Sequence, residues 1–231
     1  MNKFIADSGF ASRRKVEELI LEGRVEVNNT TILSLATQVD PEKDTVMVDG
    51  EKIKPKRHLY FILHKPKGVI TTTDDERARK TVVDLIKTKE KIFPVGRLDY
   101  DTTGILFLTN DGDFSNYLTH PSNFVTKEYK VKLNRPLESN DKTLLTKGIK
   151  LDGKNSRFQS VMAKDKSFLV WAVKTNEGRN HFVKRMFAKI GYRVTELHRI
   201  SIAGFSADAI PVGKYIEIDE KELKKVVKWN E

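Results

Sequence analysis

The sequence contains no cysteine and no long apolar run, and each absence narrows the class of protein. Without cysteine the chain can hold neither a disulfide scaffold nor a thiolate metal site, and it has no cysteine nucleophile. No apolar run approaches the roughly 18 residues that a membrane-spanning helix needs. The first ten residues, MNKFIADSGF, lack the apolar stretch of a signal peptide. We therefore expect a cytoplasmic protein that does not bind a membrane.

Two further absences concern metals and cofactors. The five histidines show no paired spacing of the kind that metal ligands adopt; they are His58, His64, His120, His181 and His198. The chain also lacks the G-x-x-x-x-G-K-[ST] and G-x-G-x-x-G patterns that bind nucleotide phosphates. We predict no metal and no cofactor.

The chain does have a marked excess of positive charge. Its 231 residues include 42 Lys and Arg against 32 Asp and Glu, for a formal net charge of +10. Hydrophobic residues make up 39% of the chain, enough for a folded core. A basic globular protein with no anionic partner fits these numbers, but the excess favours an anionic partner, most often nucleic acid.

The pattern of elements changes near residue 58, which predicts a small domain over residues 1–58 and a larger one over 59–231. In the first, Ser12 precedes an amphipathic helix as an N-cap would, and Asp49-Gly50 predicts a tight hairpin. The basic run KIKPKRH, residues 52–58, ends this part.

The second part is dominated by strand patterns. YFILH, IFPVG, ILFLT and FLVWAV are apolar runs, and KEYKVKL alternates apolar and polar residues. One helix is predicted from residue 181, with an apolar stripe including Val183, Met186 and Phe187 and with Asn180 as its cap. A last strand, KYIEI, precedes a Lys-rich terminal helix. Strands outnumber helices without βαβ alternation, so we predict the α+β class.

Basic residues open the first amphipathic helix, where backbone N–H groups and the helix dipole already favour anions. This cluster is a candidate phosphate clamp, although a solvated helix start has the same pattern. The segment NKFIADSGFASRRKVEELILEGRVEVNN resembles the small RNA-binding domain first described in a ribosomal small-subunit protein. The resemblance implies an RNA-backbone contact for each of five residues: Lys3, Ser12, Arg13, Arg14 and Lys15.

The segment GRLDYDTTG, residues 96–104, places carboxylates on a loop between two apolar strands. Rigid strands hold such a loop in place, which suits catalysis. The Asp and Thr side chains could equally do no more than cap turns. A further alternative is the D-x-D-x-T pattern of aspartyl-phosphate phosphatases, with Asp99 as nucleophile and Asp101 as acid. That family needs an apolar strand running directly into the first aspartate, whereas Gly96-Arg97-Leu98 intervenes here.

Four segments, in order, resemble the pseudouridine synthases of the RsuA/RluB type, which act on ribosomal RNA. They are HKPKGVITT, PVGRLDYDTTGILFLTNDG, HPSNFVTKEYKVKL and NEGRNHFVKRMFAKIGYRVTELHRISIAGF. Together with the N-terminal segment, the resemblance covers nearly the whole chain. It implies a catalytic domain with a mixed, largely antiparallel sheet.

The resemblance also implies roles for individual residues. The catalytic aspartate falls on Asp99, which would attack the nucleoside so that uracil detaches, rotates and rejoins its sugar through carbon. The active-site tyrosine falls on Tyr129, which would stack on the flipped base. The basic partner of the aspartate falls on Lys184, where many relatives have Arg. Arg179 and Arg185 could contribute to that pairing.

The remaining basic candidates are RNA contacts. Arg97 is expected to contact the RNA backbone or to orient the loop, and we count Arg179 and Arg185 with it as RNA-binding residues. The stretch 179–199 holds six basic residues and one acid. Residues 1–58 hold ten of each sign, so the whole positive excess lies in the larger part.

The expected function is therefore the conversion of a uridine in ribosomal RNA to pseudouridine, with large-subunit RNA favoured over small-subunit RNA. The expected partner is ribosomal RNA or a precursor of a ribosomal subunit, and we expect a monomer. The alternative is a non-catalytic RNA-binding factor for ribosome assembly with the same fold.

Overall fold

The computed structural model describes residues 1–54, 56–227 and 229, and the chain divides into two compact units. The first contains Met1–His58 with the short pieces Thr88–Lys91 and Asn110–Gly112, and the second contains the rest. Pro55, in the basic run that ends the first part, and Lys228, after the terminal helix, lie outside the described residues. No helix in the described part is both long enough and apolar enough to cross a bilayer.

The first unit packs two helices against a small sheet. Its elements are α1 (Asn2–Asp7), α2 (Arg13–Leu21), β1 (Val25–Val27), β2 (Thr30–Thr31), β3 (Val46–Val48) and β4 (Glu51–Lys52). Ser12 caps α2 as predicted, since its side chain accepts a hydrogen bond from the Lys15 N–H at 3.3 Å. The predicted hairpin at Asp49-Gly50 is also present, with both residues at positive φ, as a two-residue turn of this kind requires.

The second unit contains the remaining strands and helices. They are β5 (Tyr60–Lys65), β6 (Phe93–Pro94), β7 (Thr103–Thr109), α3 (Gly112–Thr119), β8 (Lys127–Leu133), α4 (Ser139–Lys147), β9 (Ile149–Leu151), β10 (Lys154–Ser156), β11 (Ser160–Ala163), β12 (Val170–Thr175), α5 (Phe182–Lys189), β13 (Val194–Ile202), β14 (Phe205–Ser206), β15 (Tyr215–Glu217) and α6 (Glu220–Lys224). Short 3-10 helices lie at Val83–Leu85 and Pro121–Asn123.

One large sheet organises this unit. Within the described residues its main path runs β11-β12-β8-β13-β7-β5-β15, and β14 and β6 pair with β13 and β7. The β13–β7 pair is parallel, and the other pairs between its strands are antiparallel. The predicted α+β class with a mixed, largely antiparallel sheet is therefore confirmed.

The sheet has a hydrophobic core on each face because its central strands are apolar on both sides. On β7, Leu106 and Leu108 join one core, whereas Ile105 and Phe107 join the other. This alternation follows from the two-residue repeat of a strand. The first core lies under α5, with Val183, Met186 and Phe187 buried as predicted.

The start of α5 differs from the prediction. The N-cap is His181, not Asn180; its φ is 50°, and its side chain makes no capping hydrogen bond. An N-cap residue normally has extended backbone, so this left-handed conformation must be held by its surroundings. Asn180 was predicted from residue type alone, but the His181 ring is directed to a carboxylate instead, as described below.

Gly104 allows β7 and β13 to approach closely. Its φ is +112°, and a Cβ built on it would lie 2.2 Å from the Arg199 carbonyl oxygen. We expect Gly104→Ala to destabilise the second unit by about 3 kcal/mol or more, because backbone strain and a clash with backbone add together. Trp171 and Trp229, the two tryptophans of the chain, both lie in the second unit, so urea unfolding followed by their fluorescence measures this loss.

Gly153→Ala is the matched control for that experiment. Gly153 also has positive φ, at +75°, but nothing lies within 4 Å of the position that a Cβ would take there. Only the conformational strain remains, so we expect a loss of about 1 kcal/mol. Equal losses of stability in the two variants would show that the close approach of the strands at Gly104 adds nothing to the cost of the substitution.

Candidate active site

The loop that carries Asp99 connects β6 to β7 and is fixed by hydrogen bonds at several points. Thr71 Oγ1 donates to the Leu98 carbonyl at 2.7 Å. The Thr102 N–H donates to the Asp99 carbonyl at 3.1 Å. The Gly68 N–H donates to the Tyr100 carbonyl at 2.9 Å. These bonds hold the backbone of the loop and therefore fix the position of Asp99.

Lys65, at the end of β5, is a second anchor for this loop. Its Nζ donates to the carbonyls of Asp99 and Thr102, both at 3.0 Å, and to that of Pro66 at 3.1 Å. The side chain is fully buried. Burial lowers the pKa of Lys65 to about 8, although the nearby carboxylates of Asp101 and Asp99 oppose the shift.

This lowered pKa makes stability depend on pH. Between pH 8 and 10.5 the unfolded chain retains a proton at Lys65 that the folded chain has lost, so the free energy of unfolding rises with pH. The contribution has a slope of up to about 1.4 kcal/mol per pH unit. We expect Lys65→Met to remove this part of the rise, measured by urea unfolding at about pH 8 and about pH 9.5.

Lys130→Met is the control for that measurement, because Lys130 is exposed on β8. It should retain the pH dependence of the unmodified protein. If Lys65→Met and the unmodified protein gain equal stability between the two pH values, then Lys65 is not the source of this pH dependence.

The Asp99 carboxylate is held by two residues of the α5 region. Lys184 Nζ lies 2.9 Å from Asp99 Oδ2, and His181 Nε2 lies 3.2 Å from Asp99 Oδ1. Lys184 also contacts Asp101 Oδ1 at 2.7 Å. Burial alone would lower the pKa of Lys184, but hydrogen bonds to Asp101 and Asp99 outweigh it and raise that pKa. The hydrogen bond from Lys184 is also the main cause that lowers the pKa of Asp101.

The two arginines considered as alternative partners pair with other carboxylates, although Arg179 lines the same pocket. Arg179 Nη2 is 2.6 Å from Glu177 Oε2, and Arg185 pairs with Asp152. Lys184 is therefore the basic residue of the three that the structure brings to Asp99. Arg97 lines the pocket beside the loop.

The pocket next to Asp99 has a volume of about 140 Å³ and combines polar with apolar walls. Tyr129 lines it from β8 and is 8% exposed, so its ring is held within the core. Leu98, Phe182, Val183 and Leu197 supply apolar surface. Of the two carboxylates in the lining, Glu177 is paired with Arg179, and Asp99 lies on the loop. A cleft that combines apolar walls, an aromatic ring and polar groups suits a flat, partly polar ring such as a nucleobase.

The basic cluster of the first unit is exposed. Ser12, Arg13, Arg14 and Lys15 lie at the solvent-facing start of α2, and Lys3 is exposed on α1. Lys15 Nζ contacts Glu18 at 2.7 Å, one turn further along the helix. Such an exposed ion pair is weak, so it would not prevent Lys15 from binding a phosphate.

Four residues at the site were not predicted to act there, although all lie in or beside the quoted motifs. Lys65 belongs to the HKPKG segment, and Lys127 precedes Tyr129 by two residues. His181 and Arg199 belong to the last motif. The available signal was a lysine inside an apolar strand pattern, since a buried lysine needs a specific partner.

Comparison with known proteins identifies the family. The sequence profile described as RNA pseudouridylate synthase matches residues 59–189, and the S4 domain profile matches residues 2–46. An uncharacterized RNA pseudouridine synthase of Aquifex aeolicus is 40% identical over 233 residues, covering 99% of this chain and 93% of the relative. The ribosomal large subunit pseudouridine synthase B of Bacillus subtilis is also 40% identical, covering 98% of this chain and 94% of the relative.

A solved structure supports the same conclusion. The crystal structure of a pseudouridylate synthase superposes with a TM-score of 0.70 at 30% identity, covering 98% of each chain. Since both the sequence profile and the full-length relatives match, this chain belongs to the RNA pseudouridylate synthase family.

Proposed function

We propose that this enzyme converts a uridine of large-subunit ribosomal RNA to pseudouridine, with Asp99 as the nucleophile. The observation that carries the proposal is the Asp99 carboxylate, paired with Lys184 at 2.9 Å, in a pocket that Tyr129 also lines. The large-subunit assignment is supported by the Bacillus subtilis relative, whose name specifies that substrate.

Each of these residues has a task in the reaction. A base stacked inside an RNA helix is inaccessible, so the target uridine must be flipped into the pocket. Tyr129 would stack on the flipped uracil, and Lys184 would hold the carboxylate toward the nucleoside. Asp99 would bond to the nucleoside, the C1′–N1 bond would break, and the uracil would rotate. C5 then joins C1′, the bond to Asp99 breaks, C5 loses its proton and N1 gains one. This isomerisation is balanced without a redox or energy-supplying cofactor.

The enzyme would act on ribosomal RNA or on a precursor of a ribosomal subunit. The first unit would supply affinity for that RNA. Lys3, Ser12, Arg13, Arg14 and Lys15 would contact the RNA backbone, where phosphate contacts position a protein without reading sequence. Arg97, Arg179 and Arg185 would contact RNA beside the pocket. We propose that the protein acts as a monomer, which sedimentation of the free protein can test.

Mapping pseudouridines in ribosomal RNA from cells with and without this protein tests the function directly. We expect loss of one or more pseudouridines from large-subunit RNA in the absence of the protein. Loss confined to small-subunit RNA would overturn the large-subunit assignment. No loss in either RNA would favour the non-catalytic assembly factor.

A further inference from the structure

Two buried cationic side chains, Lys127 and Arg199, line the pocket without a part in the reaction described above. Lys127 is 8% exposed and Arg199 is 3% exposed. Charged residues are seldom buried this deeply unless a partner offsets the cost of removing them from water. Their partners are therefore informative.

The sheet places both cations next to Tyr129. Lys127 and Tyr129 are two residues apart on β8, so their side chains share a face of the sheet. Arg199 of β13 is paired with Tyr129 in the strand register. The aromatic ring that would stack on the flipped base thus has one cation along its own strand and another on the neighbouring strand.

Neither cation is neutralised by a carboxylate within the described part of the chain. Arg199 Nε donates to the Ile105 carbonyl at 2.9 Å, but Nη2 is buried and has no hydrogen-bond partner among the described residues. Lys127 Nζ donates to the Val125 carbonyl at 3.3 Å. Burial, together with the charge of Arg199, lowers the pKa of Lys127 to about 8. Two like charges held together out of water favour the binding of an electron-rich group between them.

We propose that Lys127 and Arg199 bind a carbonyl oxygen of the flipped uracil and stabilise the negative charge that the base gains during the reaction. This inference rests on the proposed function, and it assigns the part of the site that receives the base. It adds two base-contacting residues to Tyr129, which would stack on the base, beside the Asp99–Lys184 pair.

The chemistry supplies such a charge on every route. When the C1′–N1 bond breaks, its electron pair stays with the base and is shared among N1, O2 and O4. If Asp99 instead adds to C6 of the base, the displaced electrons reach O4 through C5 and C4. In both cases a carbonyl oxygen of the base becomes more negative before C5 bonds to C1′. Afterwards any bond from Asp99 to the nucleoside breaks, C5 loses its proton and N1 gains one. Hydrogen-bond donors already aimed at that oxygen accelerate the step, as an oxyanion hole does.

The pocket favours a base over a backbone phosphate. Its walls include the apolar side chains of Leu98, Phe182 and Leu197, and the cations lie beside the ring of Tyr129. A phosphate is strongly hydrated and is better matched by solvent-facing basic residues such as those at the start of α2. A backbone phosphate at Lys127 is the competing outcome that the experiment must detect.

The first test is single-turnover release of tritium from large-subunit ribosomal RNA labelled at C5 of uridine. Lys127→Met should lower the rate on the order of 10²-fold, while the Kd for RNA and its salt dependence stay unchanged. Lys130→Met, which changes an exposed lysine on the same strand, is the matched control and should retain the full rate. An unchanged rate in Lys127→Met would overturn the proposal. Weaker RNA binding with a smaller salt dependence would also overturn it, because Lys127 would then be a phosphate contact.

The second test separates failure of this inference from failure of the proposed function, because it needs no RNA. Barbiturate is a pyrimidine whose negative charge is spread over its oxygens at neutral pH, whereas uracil is neutral. By NMR titration, the unmodified protein should bind barbiturate at least about tenfold more tightly than uracil. Lys127→Met should lose this preference, and Arg199→Lys, which keeps a cation in the core, should retain part of it. Equal affinity for the two pyrimidines in the unmodified protein would overturn the inference, even if the enzyme modifies ribosomal RNA.

Discussion

Replacing Asp99 by Asn is expected to abolish pseudouridine formation while RNA binding survives. Asn has nearly the same shape as Asp but has no charge and is a poor nucleophile. We expect turnover to fall by roughly 10⁴-fold or more, the scale on which enzymes lose activity without their nucleophile. Tritium release from C5-labelled ribosomal RNA measures turnover, and filter binding measures the Kd. Because the proposed phosphate contacts lie on other residues, the Kd should change less than about threefold.

Asp101→Asn is the matched control for this experiment. Asp101 also contacts Lys184, at 2.7 Å, but its side chain is 65% exposed. Exposed ion pairs contribute little, so we expect turnover to fall by less than about tenfold. Retained turnover in Asp99→Asn, or an equal loss of turnover in the two variants, would contradict the assignment of Asp99 as nucleophile.

Elements of this fold that depend on local chemistry were predictable from sequence. Ser12 caps α2 and Asp49-Gly50 forms its hairpin because each interaction is made within a few residues. The apolar alternation in KEYKVKL likewise predicts which side chains of β8 are buried. The order of strands in the large sheet was not predictable in this way, because pairs such as β7 with β13 join distant segments. The sheet class was expected through family resemblance.

The same distinction explains which site residues were missed. Asp99, Tyr129 and Lys184 were assigned from motifs, whereas Lys65 and His181 act through contacts that no local pattern specifies. Lys65 reaches a carbonyl 34 residues away in sequence. Residue type predicts Asn180 as the cap of α5, whereas His181 takes that position with a left-handed backbone and its ring lies 3.2 Å from the Asp99 carboxylate.

Replacing Lys184 by Met should reduce turnover much more than RNA affinity. Lys184 Nζ lies between two carboxylates, 2.9 Å from Asp99 and 2.7 Å from Asp101. Without this cation the carboxylates repel each other, and among the described side chains His181 is left paired with the Asp99 carboxylate. We expect turnover to fall on the order of 10²- to 10³-fold, as when a preorganised electrostatic contact is removed from an active site. The same tritium and filter-binding assays apply.

Lys184→Arg distinguishes a positioning role from simple loss of packing. Arg retains the charge and can bind a carboxylate through two N–H groups, so it should restore most of the turnover that Met removes. A phosphate contact would behave differently, because Lys184→Met would then weaken the Kd and reduce the slope of log Kd against log salt by about one counterion. If RNA binding falls as much as turnover does, then Lys184 contacts the RNA backbone and does not position the Asp99 carboxylate. Since Lys184 already contacts both carboxylates in the absence of RNA, the positioning role predicts that the slope stays constant while turnover falls.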